Sequence, residues 1–263
     1  MLYERELATS RDLALAAGKV LTRYFGTGFE VQMKGWADPV TVADRESEAL
    51  IRSTLQQEFP GDAIEGEEEG ARAGTSGRLW LIDPVDGTAN YAGGLPFFAV
   101  VISLVDLRNP DEAVLNVTYD PIRDELFHAV RGQGAFLNDG PIRVSGQQDL
   151  AQALIDLHYS NNHRIWEASI SLVTAITAKA PYARNLGSTA LGQAYVAMGR
   201  LHAHAKITSG RYDVIGGNLL ISEAGGTVTD LRGGPWTMET GLLVANPGLH
   251  AQLLTITSGI KLP

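Results

Sequence analysis

The chain has 263 residues, of which 44% are hydrophobic and 19% charged, and it contains no cysteine. This composition is typical of a globular protein with a substantial core, and it excludes disulfide scaffolds, thiolate metal sites and cysteine nucleophiles. The formal charge is −9, from 21 basic and 30 acidic residues, which argues against a nucleic-acid-binding surface.

The N-terminal segment predicts an amphipathic helix. Apolar residues recur at helical spacing from Leu2 to Phe25, and Gly26 ends the segment. Its first turns are charged, which is not the pattern of a secretory signal; the charged residues are Glu4, Arg5, Glu6, Arg11 and Asp12. No apolar run in the sequence is long enough to span a bilayer as a helix. We therefore expect a cytoplasmic protein that does not insert into a membrane.

A strand, a turn and a second helix are expected next. Residues 29–34 alternate weakly and predict a strand, and residues 35–39 predict a turn. Thr41 and Asp44 have the spacing of a capping box, which predicts a helix from there to about Phe59. A role for Asp44 as the partner of the N-cap is compatible with a functional role.

The apolar run at residues 79–82 predicts a buried strand. It stops at Asp83 and Asp86, which flank a proline. Pro84 prevents simple continuation of a hydrogen-bonded ladder, and Gly87 allows unusual backbone dihedrals. We therefore expect the strand to end and the chain to turn there, with both carboxylates at the turn.

Two neighbouring carboxylates such as Asp83 and Asp86 repel each other, and Mg²⁺, which prefers oxygen ligands, relieves that repulsion. The alternative is an ordinary turn with solvated acids. A second acidic cluster, residues 65–69, lies upstream, and Asp213 follows far downstream. These further acids favour the metal site over the turn.

The middle of the chain predicts an antiparallel meander. A loop rich in glycine and serine is expected at residues 70–77. Three β-rich runs separated by turn signals follow, at residues 97–106, 112–119 and 125–128. Residues 134–142 predict a hairpin whose Asn-Asp-Gly tip favours positive φ.

From residue 149 onward strands and helices alternate. Strands are expected at residues 154–157, 182–186, 201–205, 227–229 and 242–245. Helices are expected at residues 165–177, 187–198, 212–223 and 247–257, the last capped by Asn246. This change predicts two lobes that share one interface, residues 1–148 and residues 149–263.

Three motifs carry a family resemblance. GEE at residues 66–68, DPVDGTANY at 83–91 and YDVIGG at 212–217, the last followed by EAGG at 223–226, occur in this order. They resemble the inositol monophosphatase family of Mg²⁺-dependent, lithium-sensitive phosphatases, over nearly the whole chain. That family also includes fructose bisphosphatases, histidinol-phosphate phosphatases and adenosine-bisphosphate nucleotidases. The resemblance implies an α/β fold of layered α+β type, an αβαβα sandwich with two sheets, with the site between the lobes and a homodimeric assembly.

The resemblance also implies a Mg²⁺-dependent phosphate monoester hydrolase acting on a small phosphorylated metabolite, most closely an inositol-1-monophosphatase. Two or three Mg²⁺ ions would activate a water that attacks phosphorus in line. Metal ions roughly 3.5–4 Å apart can hold both the attacking and the leaving oxygen. A fructose-1,6-bisphosphatase or a histidinol-phosphate phosphatase remains an alternative on the same fold. From another class, the rival is a non-catalytic regulator that retained the fold.

Two sets of metal ligands that share Asp83 follow from the resemblance. Glu67 and the Val85 carbonyl complete the first set, and Asp86 and Asp213 complete the second. The resemblance gives no such role to the neighbouring acids Glu68 and Glu69. We expect both to be solvated at the surface; the alternative for Glu68 is that it contacts the metal ligands without binding the metal itself.

The resemblance makes Thr88 and Asp44 the residues that orient and deprotonate the attacking water, with Glu67 as the third catalytic residue. If a helix begins at Gly87 and Thr88, their backbone N–H groups suit a phosphate. The alternative role of Thr88 is a helix N-cap. Lys34 matches a family lysine near the metals, although a lone surface lysine is the commoner case.

Substrate contacts implied by the resemblance are Asp86, Gly187, Thr189, Lys206 and Asp213. Relatives that bind inositol usually have an acid seven residues before the last metal aspartate, where this chain has Lys206, and most have Trp where it has Tyr212. A cation at this position predicts a substrate with a second anionic group, because an ammonium donates but does not accept hydrogen bonds. The alternative is that Lys206 points to solvent. His202 and His204 lie two apart on a predicted strand. We interpret them as core or surface histidines in preference to a metal-binding pair.

Overall fold

The computed structural model of the chain describes residues 3–36, 38–159, 165–207 and 210–262. Leu2, at the start of the predicted first helix, and Ala37, in the predicted turn, lie outside these ranges. The helices are α1 Glu4–Tyr24, α2 Val42–Glu58, α3 Thr88–Ala92, α4 Trp166–Thr177, α5 Thr189–Ala197, α6 Arg211–Glu223 and α7 Pro247–Thr257. No helix in the described ranges is both long and apolar enough to cross a membrane.

The strands form two main sheets and one hairpin. They are β1 Val31–Gly35, β2 Asp38–Thr41, β3 Ala63–Gly66, β4 Gly70–Arg72, β5 Arg78–Asp86, β6 Ala99–Asp106, β7 Ala113–Asp120, β8 Glu125–Val130, β9 Ala135–Leu137, β10 Gly140–Pro141, β11 Leu154–His158, β12 Tyr182–Arg184, β13 Ala203–Lys206, β14 Thr227–Thr229 and β15 Leu242–Ala245. The large sheet has the order β10-β9-β8-β7-β6-β5-β3-β4, and the small sheet has the order β12-β11-β13-β15-β14. Strands β1 and β2 pair only with each other.

Helices and sheets alternate in five layers. Helices α1 and α2 pack on one face of the large sheet, α5 and α6 lie between the two sheets, and α4 and α7 cover the other face of the small sheet. Three separate apolar cores fill the spaces between the large sheet and its helices, between the two sheets, and beneath the outer helices. The predicted αβαβα sandwich with two sheets is therefore confirmed.

Strand β5 shows why the large sheet is buried on both faces. Trp80 and Ile82 point into the core that α1 and α2 cover, whereas Leu79 and Leu81 point into the core between the sheets. Side chains alternate along a strand, so a continuous apolar run is what a strand covered on both faces requires.

Two glycines bring α6 close to its neighbours. A Cβ at Gly216 would lie 2.1 Å from Asn116 Oδ1 of β7, and a Cβ at Gly217 would lie 2.1 Å from Gln193 Oε1 of α5. A side chain larger than that of glycine would not fit at either position. The close packing of α6 positions its first turn, which contains Asp213, at the carboxyl end of β5.

The structure corrects two local predictions. Strand β2 occupies residues 38–41, where residues 38 and 39 were assigned to a turn; Pro39 is tolerated because β2 is an edge strand that needs no further N–H donor. Strand β4 occupies residues 70–72 of the predicted loop, because it pairs with β3, a strand for which no prediction was made. The meander, the tip hairpin and the helices capped by Thr41 and Asn246 are confirmed.

Candidate active site

Strands β3 and β5 bring Glu67 and Asp83 together. The two strands are parallel, with Gly66 opposite Ile82, so their carboxyl ends meet at the same edge of the sheet. The Glu67 N–H continues the pairing by donating to the Ile82 carbonyl at 3.2 Å. Acids that are sixteen positions apart in sequence are thereby placed side by side.

Strand β5 does not end at Ile82 as predicted but continues through a bulge to Asp86. Asp83 lies opposite Val101 and Asp86 opposite Ala99, so three steps on β5 match two on β6. In a regular strand, residues three apart face opposite sides, and the extra residue of the bulge restores the same side for both carboxylates. Pro84 lies within the bulge, where its missing N–H breaks no regular pair.

The bulge is stabilised by local hydrogen bonds. Val85 N–H donates to Asp83 Oδ1 at 2.9 Å, and the Thr88 hydroxyl donates to the Val85 carbonyl at 2.9 Å. Gly87 then adopts φ 95° and begins the short helix α3. The Val85 carbonyl predicted as a metal ligand therefore lies beside the threonine predicted to be catalytic.

Helix α6 supplies the third acid of the cluster. Carboxylate oxygens of Asp83, Asp86 and Asp213 lie within 4.8 Å of one another. Asp83 is 2% exposed and Asp86 is 6% exposed, so water does little to separate their charges.

The electrostatics of these acids follow from burial and from one another. Burial raises the pKa of Asp83 well above its usual range, and the charges of Glu67, Asp213 and Asp86 raise it further. Burial raises the pKa of Asp213 to about 6, although Lys206 opposes the shift. Burial also raises the pKa of Asp86, against the hydrogen bond from Ser188 and the charge of Lys206. Such a set favours either protons or a bound cation.

Asp86 also joins the large sheet to helix α5. Its carboxylate accepts hydrogen bonds from the Ser188 hydroxyl, from Thr189 N–H at 3.2 Å and from Ala190 N–H at 2.9 Å. Gly187, predicted to contact substrate, precedes this turn with φ 75° and lines a pocket that also includes Asp86. The backbone N–H of Thr189 is thus occupied by Asp86, while its hydroxyl accepts from Lys206.

Asp44 and Thr88 are placed at the start of α2 and at the start of α3. Asp44 Oδ2 accepts hydrogen bonds from the Thr41 N–H, at 3.0 Å, and from the Thr41 hydroxyl, as the capping box requires. Within the described residues, no hydrogen bond joins Asp44 to Thr88, and Asp44 Oδ1 is buried without a partner. Burial raises the pKa of Asp44 to about 6.

The hairpin β1–β2 positions Lys34 beside Glu67 and Glu68. Lys34 Nζ donates to Glu67 Oε1 at 3.1 Å and to Glu68 Oε1 at 2.8 Å. The expectation of a solvated Glu68 is wrong, since its side chain is only 4% exposed, whereas Glu69 is exposed as predicted. Burial raises the pKa of Glu67. The charge of Lys34 partly offsets this increase, and the charge of Asp213 adds to it.

A pocket of about 350 Å³ opens beside the acids. Its lining residues are Pro39, Asp86, Gly87, Thr88, Ala89, Asn90, His158, Tyr159, Asn185, Gly187, Thr189, Lys206 and Asp213. Lys206 lies in this wall, with Nζ 2.8 Å from Thr189 Oγ1 and 3.7 Å from Asp213 Oδ2, and not in solvent. Tyr212 points elsewhere, donating to Glu65 Oε1 at 3.0 Å.

Sequence reasoning missed His158 in the pocket wall. The available signal was the spacing of Asp156 and His158, two apart, although the predicted strand ended at residue 157 and the observed β11 ends at His158. His204 and His202 have structural roles instead: Asp156 and His204 form a fully buried pair at 2.7 Å, and His202 Nδ1 accepts from Leu154 N–H at 2.7 Å.

Comparisons with known proteins agree with this architecture. The model of the inositol monophosphatase family matches residues 3–261. The chain is 38% identical to the protein named inositol-1-monophosphatase of Mesorhizobium japonicum, over 88% of both chains. It is 39% identical to the protein named Nus factor SuhB of Xylella fastidiosa, over 84% of this chain and 80% of that protein.

Solved structures resemble the whole fold. The extragenic suppressor protein suhB from Bartonella henselae has a TM-score of 0.92 at 32% identity, covering 97% of this chain and 99% of that one. The inositol monophosphatase from Anabaena has a TM-score of 0.87 at 31% identity, covering 99% of this chain and 98% of that one. The similarity therefore extends well beyond the motifs.

Proposed function

This chain belongs to the inositol monophosphatase family, and on that basis we propose that it is a Mg²⁺-dependent phosphatase that hydrolyses a small phosphate monoester. The observation that carries the proposal is the convergence of Asp83, Asp86 and Asp213, whose carboxylate oxygens lie within 4.8 Å of one another. Three crowded and largely buried acids are the donor set that a divalent cation requires.

The residues fit a hard divalent cation. All the candidate ligands are oxygen donors, which Mg²⁺ prefers: the carboxylates of Glu67, Asp83, Asp86 and Asp213 and the carbonyl of Val85. Burial and mutual repulsion disfavour the charged carboxylates unless a cation neutralises them. Two or three Mg²⁺ ions held here would offset the charge of the phosphate and increase the acidity of a nearby water.

The protein's own groups would then position the attacking water. Asp44 Oδ1 is buried with no hydrogen-bond partner in the described part of the chain, which leaves it free to accept from a water. The Thr88 hydroxyl lies beside the Val85 carbonyl, and Thr88 lines the same pocket as Asp86 and Asp213. We propose that Asp44 and Thr88 orient this water and take its proton, and that Glu67 completes the catalytic set.

The phosphate and the leaving group would lie in the 350 Å³ pocket. Backbone N–H groups of Gly87 and Thr88 would bind phosphate oxygens, and Gly187, Thr189 and Lys206, which line the same pocket, would contact the leaving group. Inositol 1-phosphate, fructose 1,6-bisphosphate and histidinol phosphate are the candidate substrates to compare.

A regulatory role is the rival from another class. It is supported by the relatives named Nus factor SuhB, among them those of Xylella fastidiosa and Pasteurella multocida. The intact acidic cluster supports catalysis instead, because a purely regulatory protein would not need to keep it.

We also propose that the protein acts in the cytoplasm as a homodimer. Light scattering during size-exclusion chromatography tests the assembly, with a dimer mass of about twice the 28.2 kDa chain as the expected result.

The experiment that tests the function is phosphate release from the three candidate substrates and p-nitrophenyl phosphate, with Mg²⁺ or with excess chelator. Turnover that appears only with Mg²⁺ and is lost in Asp213→Asn supports the proposal. Equal turnover in chelator, or none on any ester, contradicts it.

A further inference from the structure

Strands β11 and β13 place four polar side chains on one face of the small sheet. Asp156 lies opposite His204, and His158 lies opposite Lys206. The period of two along a strand puts all four on the same face. The first pair is fully buried, whereas the second lines the pocket beside the acidic cluster.

Lys206 is a buried cation whose nearby carboxylates, Asp213 and Asp86, are shared with the proposed metal site. The residue is 8% exposed, and among the described residues Asp213 is the only carboxylate within salt-bridge distance, at 3.7 Å. Its one short hydrogen bond goes to the neutral hydroxyl of Thr189. A buried ammonium requires an anionic partner, and Asp213 cannot fully serve both Lys206 and a metal ion. The site therefore has room for a further negative charge near Lys206.

His158 supplies a second polar group next to this ammonium. Its Nδ1 is buried with no hydrogen-bond partner in the described ranges, and the residue forms part of the pocket lining. Burial lowers the pKa of His158 well below its usual range, with help from Lys206 and His204, so the ring is neutral. A neutral imidazole can donate one hydrogen bond.

The charges in the pocket lining also favour an anion near Lys206. Among the described lining residues, the only acids are Asp86 and Asp213, which belong to the metal cluster. Lys206 is the one cationic side chain among the described lining residues and offers only donors, whereas the neutral side chains of His158, Asn185, Asn90, Thr88 and Thr189 can both donate and accept. A neutral polyol needs acceptors for its hydroxyl protons, whereas an anion needs only donors.

We infer that the physiological substrate carries a second anionic group, a carboxylate or a phosphate, on its leaving-group side, bound by Lys206 with His158 beside it. This inference rests on the proposed phosphatase function. It separates a class of doubly anionic phosphate esters from the phosphates of neutral polyols.

The test compares two esters that differ only in that group: 3-phosphoglycerate and glycerol 3-phosphate. The first has a carboxylate where the second has a hydroxymethyl group. A charge-assisted contact predicts about a ten- to hundredfold higher kcat/KM for 3-phosphoglycerate, mainly through a lower KM. Fructose 1,6-bisphosphate against fructose 1-phosphate repeats the comparison with a phosphate as the second anion.

Variants of Lys206 and His158 show which residue binds the second anionic group of the substrate. Lys206→Gln should bring the ratio of kcat/KM close to one, and Lys206→Glu should reverse it. His158→Phe should lower the ratio by less, and His158→Gln should retain it. Lys179→Gln is the matched control, because Lys179 is an exposed lysine at the end of α4, away from the pocket lining.

Two outcomes would overturn the inference. One is a wild-type enzyme that favours glycerol 3-phosphate. The second is an unchanged ratio in a folded Lys206→Gln variant. A change in the Mg²⁺ affinity of that variant at an unchanged ratio would make Lys206 part of the metal site alone. The wild-type comparison stands even if the variants fail to fold. Mg²⁺-dependent turnover of p-nitrophenyl phosphate tests the general phosphatase function separately.

Discussion

Gly217 of α6 packs directly against Gln193 of α5, so closely that a Cβ at Gly217 would lie 2.1 Å from Gln193 Oε1. The same helix begins with Arg211 and carries Asp213 in its first turn. The position of the third acid therefore depends on how closely two buried helices approach each other.

Gly217→Ala should destabilise the protein and displace Asp213. Overpacking of this kind costs about 1–3 kcal/mol, and the shift of α6 should also weaken Mg²⁺ binding. Chemical denaturation and calorimetric Mg²⁺ titration measure the two effects. Ser222→Ala, at an exposed position of the same helix, is the control and should change the stability by less than about 0.5 kcal/mol. Full stability and unchanged Mg²⁺ affinity in Gly217→Ala would show that α6 does not set the site.

The stabilisation by Mg²⁺ should increase with pH. Burial raises the pKa of Asp83, Asp86 and Asp213 above their unfolded values, to about 6 for Asp213. The charged forms are therefore disfavoured in the fold, so metal-free stability falls as pH rises from the unfolded pKa, about 4, through the folded one. Mg²⁺ removes this penalty only where the acids are ionised.

Melting temperatures with and without Mg²⁺ measure this effect. The increase caused by Mg²⁺ should be small at pH 5 and larger at pH 7.5, and Asp213→Asn should reduce the difference. An equal increase at both pH values would mean that the buried acids do not bind the ion.

Thr88→Ala should slow turnover with little change in KM. If Thr88 helps to orient the attacking water and remove its proton, its loss should lower kcat about 10²- to 10⁴-fold. Thr88→Ser keeps the hydroxyl and should restore most of the rate. Steady-state kinetics at saturating Mg²⁺ separate kcat from KM. A rate in Thr88→Ala close to that of the wild type would remove Thr88 from the mechanism.

Lithium inhibition is expected from the family resemblance. Li⁺ is a hard cation that competes for oxygen ligands, and tens of millimolar is roughly the range in which such competition is expected. Phosphate release should fall across a Li⁺ titration while the same concentrations of NaCl leave it unchanged. Identical curves for the two salts would contradict the expectation.

Much of the fold follows from local sequence patterns. The capping box at Thr41, the proline after Asn246 and the alternation of the meander each specify an element through its nearest neighbours. These signals predict where elements begin and end. They also predicted that acids would follow the strand at residues 79–82.

Other features depend on partners that are distant in sequence. The bulge at Pro84 is defined by the register of β5 against β6, so the sequence around it suggested an end to the strand. Glu68 is buried because Lys34 of the hairpin reaches it. The pocket position of His158 results from the pairing of β11 with β13, which are 45 or more residues apart.

The central claim is that the acids at the end of β5 make a Mg²⁺-dependent phosphatase. Asp83 is the most buried acid of the cluster and the proposed ligand shared by both metal sets. The most direct test is phosphate release from p-nitrophenyl phosphate by the wild type, by Asp83→Asn and by the exposed-site control Asp139→Asn, across a Mg²⁺ titration. We expect Mg²⁺-dependent turnover in the wild type and the control and about a thousandfold loss in Asp83→Asn, equivalent to about 4 kcal/mol. Turnover by a folded Asp83→Asn variant at the wild-type rate and Mg²⁺ dependence would contradict the account.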